Sequence, residues 1–390
     1  MTDTSNDAEK DILDVVEDFD YSTQNSSYNE KYKKWRKNKD NRHAFRFQGN
    51  KKEKVFNDSR GFEKRSPEAV EKKIINRVMY VLGIAMLMFI VIDNSANRLL
   101  APLFRCFGIN VHASMLSAAV YGNVTGVVEV LLLASALKIL IPVIYIQLKL
   151  KMPLSVGYMS HVNSTAEIVN SVGLALVACT VVCLPTAYSS DTKEIYTLFK
   201  SANADVSLWG HREFVVYALF TLVVFPAVYE LFLHGPIFAA LRQFGDRFAI
   251  AVTTVAACLL ADTPSEIPAT FLISLLAAVS MLRSGTIMTA FIINIIYKSY
   301  TFALIMFENE NTPSMLLKRN VFMIAALVAG VAVSGSIYIV RRRKGRKLHF
   351  IAAYKSEVSP LNRGVIAVKS FPFAAVVMLC ILEMVIGVVF

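Results

Sequence analysis

The sequence predicts an all-α membrane protein, a bundle of about nine transmembrane helices behind a polar N-terminal tail that is disordered or partly helical. Three observations carry that expectation. Apolar residues make up 55% of the 390, and they gather into runs of about 17 to 25, enough helix to cross a hydrocarbon core about 30 Å thick. Such runs must be helical, because lipid offers the backbone no hydrogen-bonding partner. The hydrophilic connections also alternate in charge, as the positive-inside rule requires of a chain weaving across a bilayer.

The tail covers residues 1–73. Its first twenty residues carry Asp3, Asp7, Glu9, Asp11, Asp14, Glu17, Asp18 and Asp20 against a lone Lys10. From Lys31 the sign reverses, through Lys33, Lys34, Arg36 and Lys37 to Lys72 and Lys73, with Trp35, Phe45, Phe47, Phe56 and Phe62 interleaved. So charged a segment buries little apolar surface, so the part before about Ser66 is expected to be dispensable for folding of the membrane part. Its basic half is expected at the cytoplasmic face, touching anionic lipid at about 1 kcal/mol per basic residue. The first apolar run begins near Val78, too late for a cleavable signal, so the tail is expected to stay attached. The net charge of +11 then reflects membrane topology and calls for no nucleic-acid partner.

Candidate spans follow at 75–95, 120–147, 166–189, 213–240, 247–262, 266–282, 286–307, 320–340 and 370–390. The first helices occupy 74–165, a core 166–340, and a basic loop with a last helix 341–390. With the N-terminus inside, one set of connections holds Lys149, Lys151, Arg242, Arg247, Arg283 and the run from Arg341 to Lys347, and the opposite set holds Asp191, Glu194, Asp205, Glu308 and Glu310. A multi-pass protein of the cell membrane with a cytoplasmic N-terminus is the expectation. Cys106, Cys179, Cys183, Cys258 and Cys380 sit mostly in apolar runs and read as buried thiols. Glu129 and Lys138 share a span but lie nine residues apart, about 13 Å of helix, so each needs a partner elsewhere.

A charge near the middle of a span costs about 2.5–3.5 kcal/mol on insertion scales, so it marks a partner or a function. Residues 225–298 hold several. Glu230 and His234 lie one turn apart on one helix face, and Pro236 frees a backbone carbonyl and is expected to kink that helix at Gly235. Asp262 ends the next run, and Asn294 and Lys298 lie one turn apart on a third. Facing lipid these groups would be intolerable; facing each other they make a buried polar cluster.

These residues stand in a recognisable frame. Tyr229-Glu230-Leu231-Phe232-Leu233-His234-Gly235 is followed by Leu241-Arg242-Gln243-Phe244-Gly245, then by Cys258 to Asp262, then by Ser284-Gly285-Thr286 ahead of Asn294 to Lys298. Order, spacing and flanks resemble the CAAX protease and bacteriocin-processing family of intramembrane endopeptidases over residues 213–307. In active members, the resemblance implies, a first glutamate and a second-motif histidine activate water, while a third-motif histidine and asparagine stabilise the oxyanion. Here those positions hold Tyr229, Asp262, Asn294 and Lys298, His234 replaces an arginine, and Glu230 alone is retained. The resemblance therefore implies a degenerate member that binds a membrane segment, peptide or protein partner, with an altered endopeptidase as the alternative; the number of spans alone adds a transporter as a third reading.

The residues themselves leave three arrangements open. Lys298 can neutralise Glu230 or Asp262, with His234 and Asn294 completing the hydrogen bonds, in a sealed ion-pair cluster. Asp262 and Glu230 can activate water with Asn294 or Lys298 as oxyanion donors. Glu230, His234 and Asp262 can hold a divalent metal, against which Lys298 speaks by repulsion. No Gly-rich phosphate loop or other cofactor motif is present.

Overall fold

The computed structural model describes residues 13–17, 19, 21, 25–38, 40–48, 54–57, 61–64, 67–114, 119–188, 210–261, 264–309, 312–344 and 358–389. Ahead of the bundle lie the strand β1 (Leu13–Asp14), the helix α1 (Ser26–Lys37), and the strands β2 (Phe47–Gln48), β3 (Lys54–Asn57) and β4 (Gly61–Lys64); β1 pairs antiparallel with β2, and β3 with β4. The bundle opens with α2 (Pro67–Cys106), a short hairpin β5 (Val111–Ala113) and β6 (Val120–Gly122), α3 (Val124–Lys149), the single turn α4 (Leu154–Gly157) and α5 (Thr165–Tyr188). It continues through α6 (His211–Arg242), α7 (Asp246–Leu259), α8 (Ile267–Ser284), α9 (Met288–Asn309), α10 (Pro313–Arg343), α11 (Pro360–Lys369) and α12 (Phe371–Val389).

Local chemistry sets several boundaries. Asn25, Asn123, Thr312 and Ser359 cap α1, α3, α10 and α11, each side chain accepting an orphan N–H of the first turn. Helix α8 stops at Gly285, whose φ of +78° is left-handed and suits glycine.

Among the described residues seven helices are long and apolar enough to cross a membrane, and the pair α11–α12, bent by 80°, makes an eighth if it counts as one span. The difference from nine lies at 247–262. There the chain forms α7, 14 residues long and so about 21 Å, short of a bilayer core. Apolarity alone could not see that α7 and α8 are a hairpin broken around Pro264. Alternation survives, because α7 leaves the end that carries Arg242 and α8 returns to it. At that end the Asn163 N–H donates to the Ser284 carbonyl at 2.8 Å and Arg341 pairs with Glu167 at 2.7 Å. Arg363 pairs there with Glu71 at 3.0 Å, both side chains buried. This is the basic end of the bundle.

The tail departs most from expectation. Tyr28, Tyr32 and Trp35 of α1, together with Phe45, are buried in the main apolar core with residues of α2, α6 and α9. Trp35 and Phe45 therefore meet protein rather than lipid, and residues 26–38 and 40–48 belong to the bundle. Total charge concealed a helical pattern: positions 28, 32 and 35 fall on one face, and the charged residues Glu30, Lys31, Lys34 and Lys37 on the exposed one. Higher up, Lys138 finds its partner across helices, 2.8 Å from Asp93, with its ammonium over the rings of Phe89 and Phe225. Glu129 is exposed on α3.

Candidate functional site

Helix α6 carries the site and is the least regular of the long helices. It contains two π-helical turns, Phe220–Val224 and Leu233–Ile237. The second surrounds Pro236, which supplies no N–H, and the backbone leaves helical geometry at Gly235, with φ −88° and ψ −115°. The break thus falls at the glycine where the sequence placed it. The ring of Tyr158 packs where a Cβ of residue 235 would sit. Gly235→Ala is accordingly expected to destabilise by about 1–3 kcal/mol through overpacking, read as a lower thermal midpoint. Tyr158→Ala in the same chain should return part of that loss, and an unchanged midpoint in the single variant would take Tyr158 out of the account.

Above the break, Glu230 and His234 share one face. The imidazole Nδ1 of His234 bonds one carboxylate oxygen of Glu230. Asn294 on α9 donates its Nδ2 to the other oxygen at 2.9 Å. The three residues are 2%, 1% and 7% exposed, so the carboxylate is held almost entirely by protein. A buried carboxylate is tolerated on that condition.

Of the two carboxylates expected to meet Lys298, only Glu230 lies among the described residues. Lys298 lies one turn beyond Asn294, half-buried, with its ammonium 5.7 Å from the Tyr297 ring centroid, and it forms no ion pair with Glu230. Glu230 already has two partners, which leaves the ammonium to line a cavity instead. Tyr229, half-buried, packs between the rings of Phe89 and Phe225, each centroid 6.2 Å away. Asp262 lies outside the described residues. Among the described residues no three His, Cys, Asp or Glu side chains converge as metal ligands.

The cavity beside the cluster has a volume of about 70 Å³ and lies between α6, α7, α8 and α9. That is room for a few waters or one small group. Its polar wall consists of Glu230, Asn294 and Lys298, joined by Glu266, Thr270 and Ser274, and Phe225, Pro226, Leu260 and Ile273 supply apolar wall. By helix register it is central: Glu230 is twelve residues from Arg242, about 18 Å, and Lys298 eleven from Asn309, about 16 Å. The structure thus brings Tyr229, Glu230, Asn294 and Lys298 to one cavity, with His234 behind Glu230.

Sequence reasoning missed Ser274 and Thr270, whose hydroxyls read as ordinary in an apolar run. It also missed Asp93, although a carboxylate following Ile90-Val91-Ile92 was a signal. Two buried polar atoms of the site have no partner among the described residues, His234 Nε2 and Ser274 Oγ.

Comparison with protein-family models, with curated proteins and with solved structures finds no match. By its own sequence and structure the chain is a multi-span helical membrane protein with a buried polar cluster beside a central cavity.

Proposed function

We propose that the chain is a degenerate relative of the CAAX protease and bacteriocin-processing endopeptidases that binds a membrane segment, peptide or protein partner without cleaving it, the central cavity taking no more than one small group of that partner. One observation carries this reading: Asn294 spends its amide on Glu230. Peptide hydrolysis needs a carboxylate free to activate water and a donor free for the oxyanion. Here Glu230 is engaged on both sides, one oxygen accepting an N–H of Asn294 and the other paired with His234, which withdraws it from activating water. Fold-level likeness does not restore the chemistry.

The test uses purified protein in nanodiscs with a panel of transmembrane peptides, some carrying a lipidated C-terminus. Saturable binding to at least one peptide with no new peptide termini by mass spectrometry is the expected result. New termini that vanish in Glu230→Gln would make the protein an endopeptidase. That second reading draws on the unpartnered Nε2 of His234, which leaves one ring nitrogen of a Glu–His pair for proton transfer.

In the same reading the basic end faces the cytoplasm, and the exposed Lys31 and Lys34 of α1 meet anionic lipid. A reporter fused after Arg343 should read cytoplasmic and one near Glu310 external; the same side for both would reject this topology.

A further inference from the structure

We propose that residues 26–38 and 40–48 act as a strap that controls the geometry of the Glu230–His234 pair from the basic end, through the break at Gly235. This goes beyond the binding reading and holds whether or not the cavity takes a peptide.

The strap grips four separate pieces of the bundle. Trp35 donates its indole N–H to the Leu150 carbonyl at the end of α3, at 3.1 Å, and the Tyr28 hydroxyl donates to Val156 of α4 at 2.8 Å. The Tyr32 hydroxyl donates to the Ala239 carbonyl at 2.8 Å, and the backbone N–H of Phe45 donates to Gln243 Oε1 at 2.7 Å. The last two contacts fall on the part of α6 beyond the break and the turn that follows it. Arg242 sits there with its guanidinium 5.8 Å and 5.5 Å from the rings of Tyr28 and Tyr32, held by Asp246 at 2.8 Å. Burial raises both tyrosine hydroxyls above their ordinary pKa, against the pull of the nearby arginines, so they stay neutral donors.

The same strap reaches the break from the side. Val156, which accepts from Tyr28, lies two residues before Tyr158, whose ring packs on Gly235. A glycine off helical geometry beside a proline is where a helix yields first. The half of α6 above it holds Glu230 and His234, and the half below is held by the strap. Moving the strap therefore moves the lower half and Tyr158 together, and the break passes that displacement to His234, one residue away.

The experiment compares the full-length protein with Tyr28→Phe/Tyr32→Phe, which keeps both rings and removes both hydroxyl donors, and with Tyr32→Ala as a stronger release. Amide hydrogen exchange over 233–243 should quicken by about fivefold, since the variant removes the Tyr32 bond to Ala239 and leaves that of Phe45 to Gln243, while the middles of α9 and α10 stay unchanged. The imidazole ¹⁵N shifts of His234, which report its bond to Glu230, should move in the same variants. The proposal is overturned if exchange quickens over 26–48 while 233–243 and His234 keep their values, or if it quickens equally through α9 and α10. Should Tyr32→Ala fail to fold, the double phenylalanine variant decides.

Discussion

Glu230→Leu is expected to destabilise the protein by about 1–3 kcal/mol for each of the two buried polar groups it strands. The variant leaves His234 Nδ1 and Asn294 Nδ2 buried with nothing to bond, in residues 1% and 7% exposed. Glu230→Gln should cost less, because an amide can still accept from Asn294. Adding His234→Leu to Glu230→Leu should recover part of the loss, since it removes the stranded imidazole while the Asn294 amide stays unmet. Denaturation of the purified protein measures all three. A Glu230→Leu variant as stable as the parent would mean that the carboxylate is not buried as described.

Trp35→Ala carries the second large effect, a loss of about 3–5 kcal/mol typical of a core aromatic cut to alanine. Trp35 is 4% exposed, stacks in a tilted contact with Tyr32 at 5.5 Å and donates to Leu150. Lys34→Ala on the exposed face of the same helix should be close to neutral. Paired measurement of the two variants separates a docked helix from a solvated tail. Equal, small effects would return residues 26–48 to the dispensable tail that their charge suggested.

The bundle was legible in the sequence because apolar length is dictated by the bilayer. Polar groups in mid-span were legible for the same reason: Glu230, His234, Asn294 and Lys298 stood out as residues that lipid would reject, and Gly235-Pro236 as a break. The hydrogen bonds of His234 and Asn294 were legible too, and what sequence could not supply was the counter-charge. Lys298 looked like the counter-charge by sign alone, whereas Glu230 is met by a histidine on its own helix and an amide from α9. The α7–α8 hairpin hid inside continuous apolarity, since hydropathy registers a short helix and a full span alike until the turn is located. The tail was misjudged by averaging its charge over the whole segment; a helical window over 26–37 separates the aromatic face from the charged one.

Glu230 is satisfied by His234 and Asn294, which leaves Lys298 to the cavity. Double-mutant cycles test it directly, with stability as the readout. Glu230→Gln crossed with Asn294→Ala should show coupling of about 1–3 kcal/mol, and Glu230→Gln crossed with Lys298→Met should show less than about 0.5 kcal/mol. Strong coupling to Lys298 with none to Asn294 would contradict the account and restore a sealed lysine–carboxylate pair.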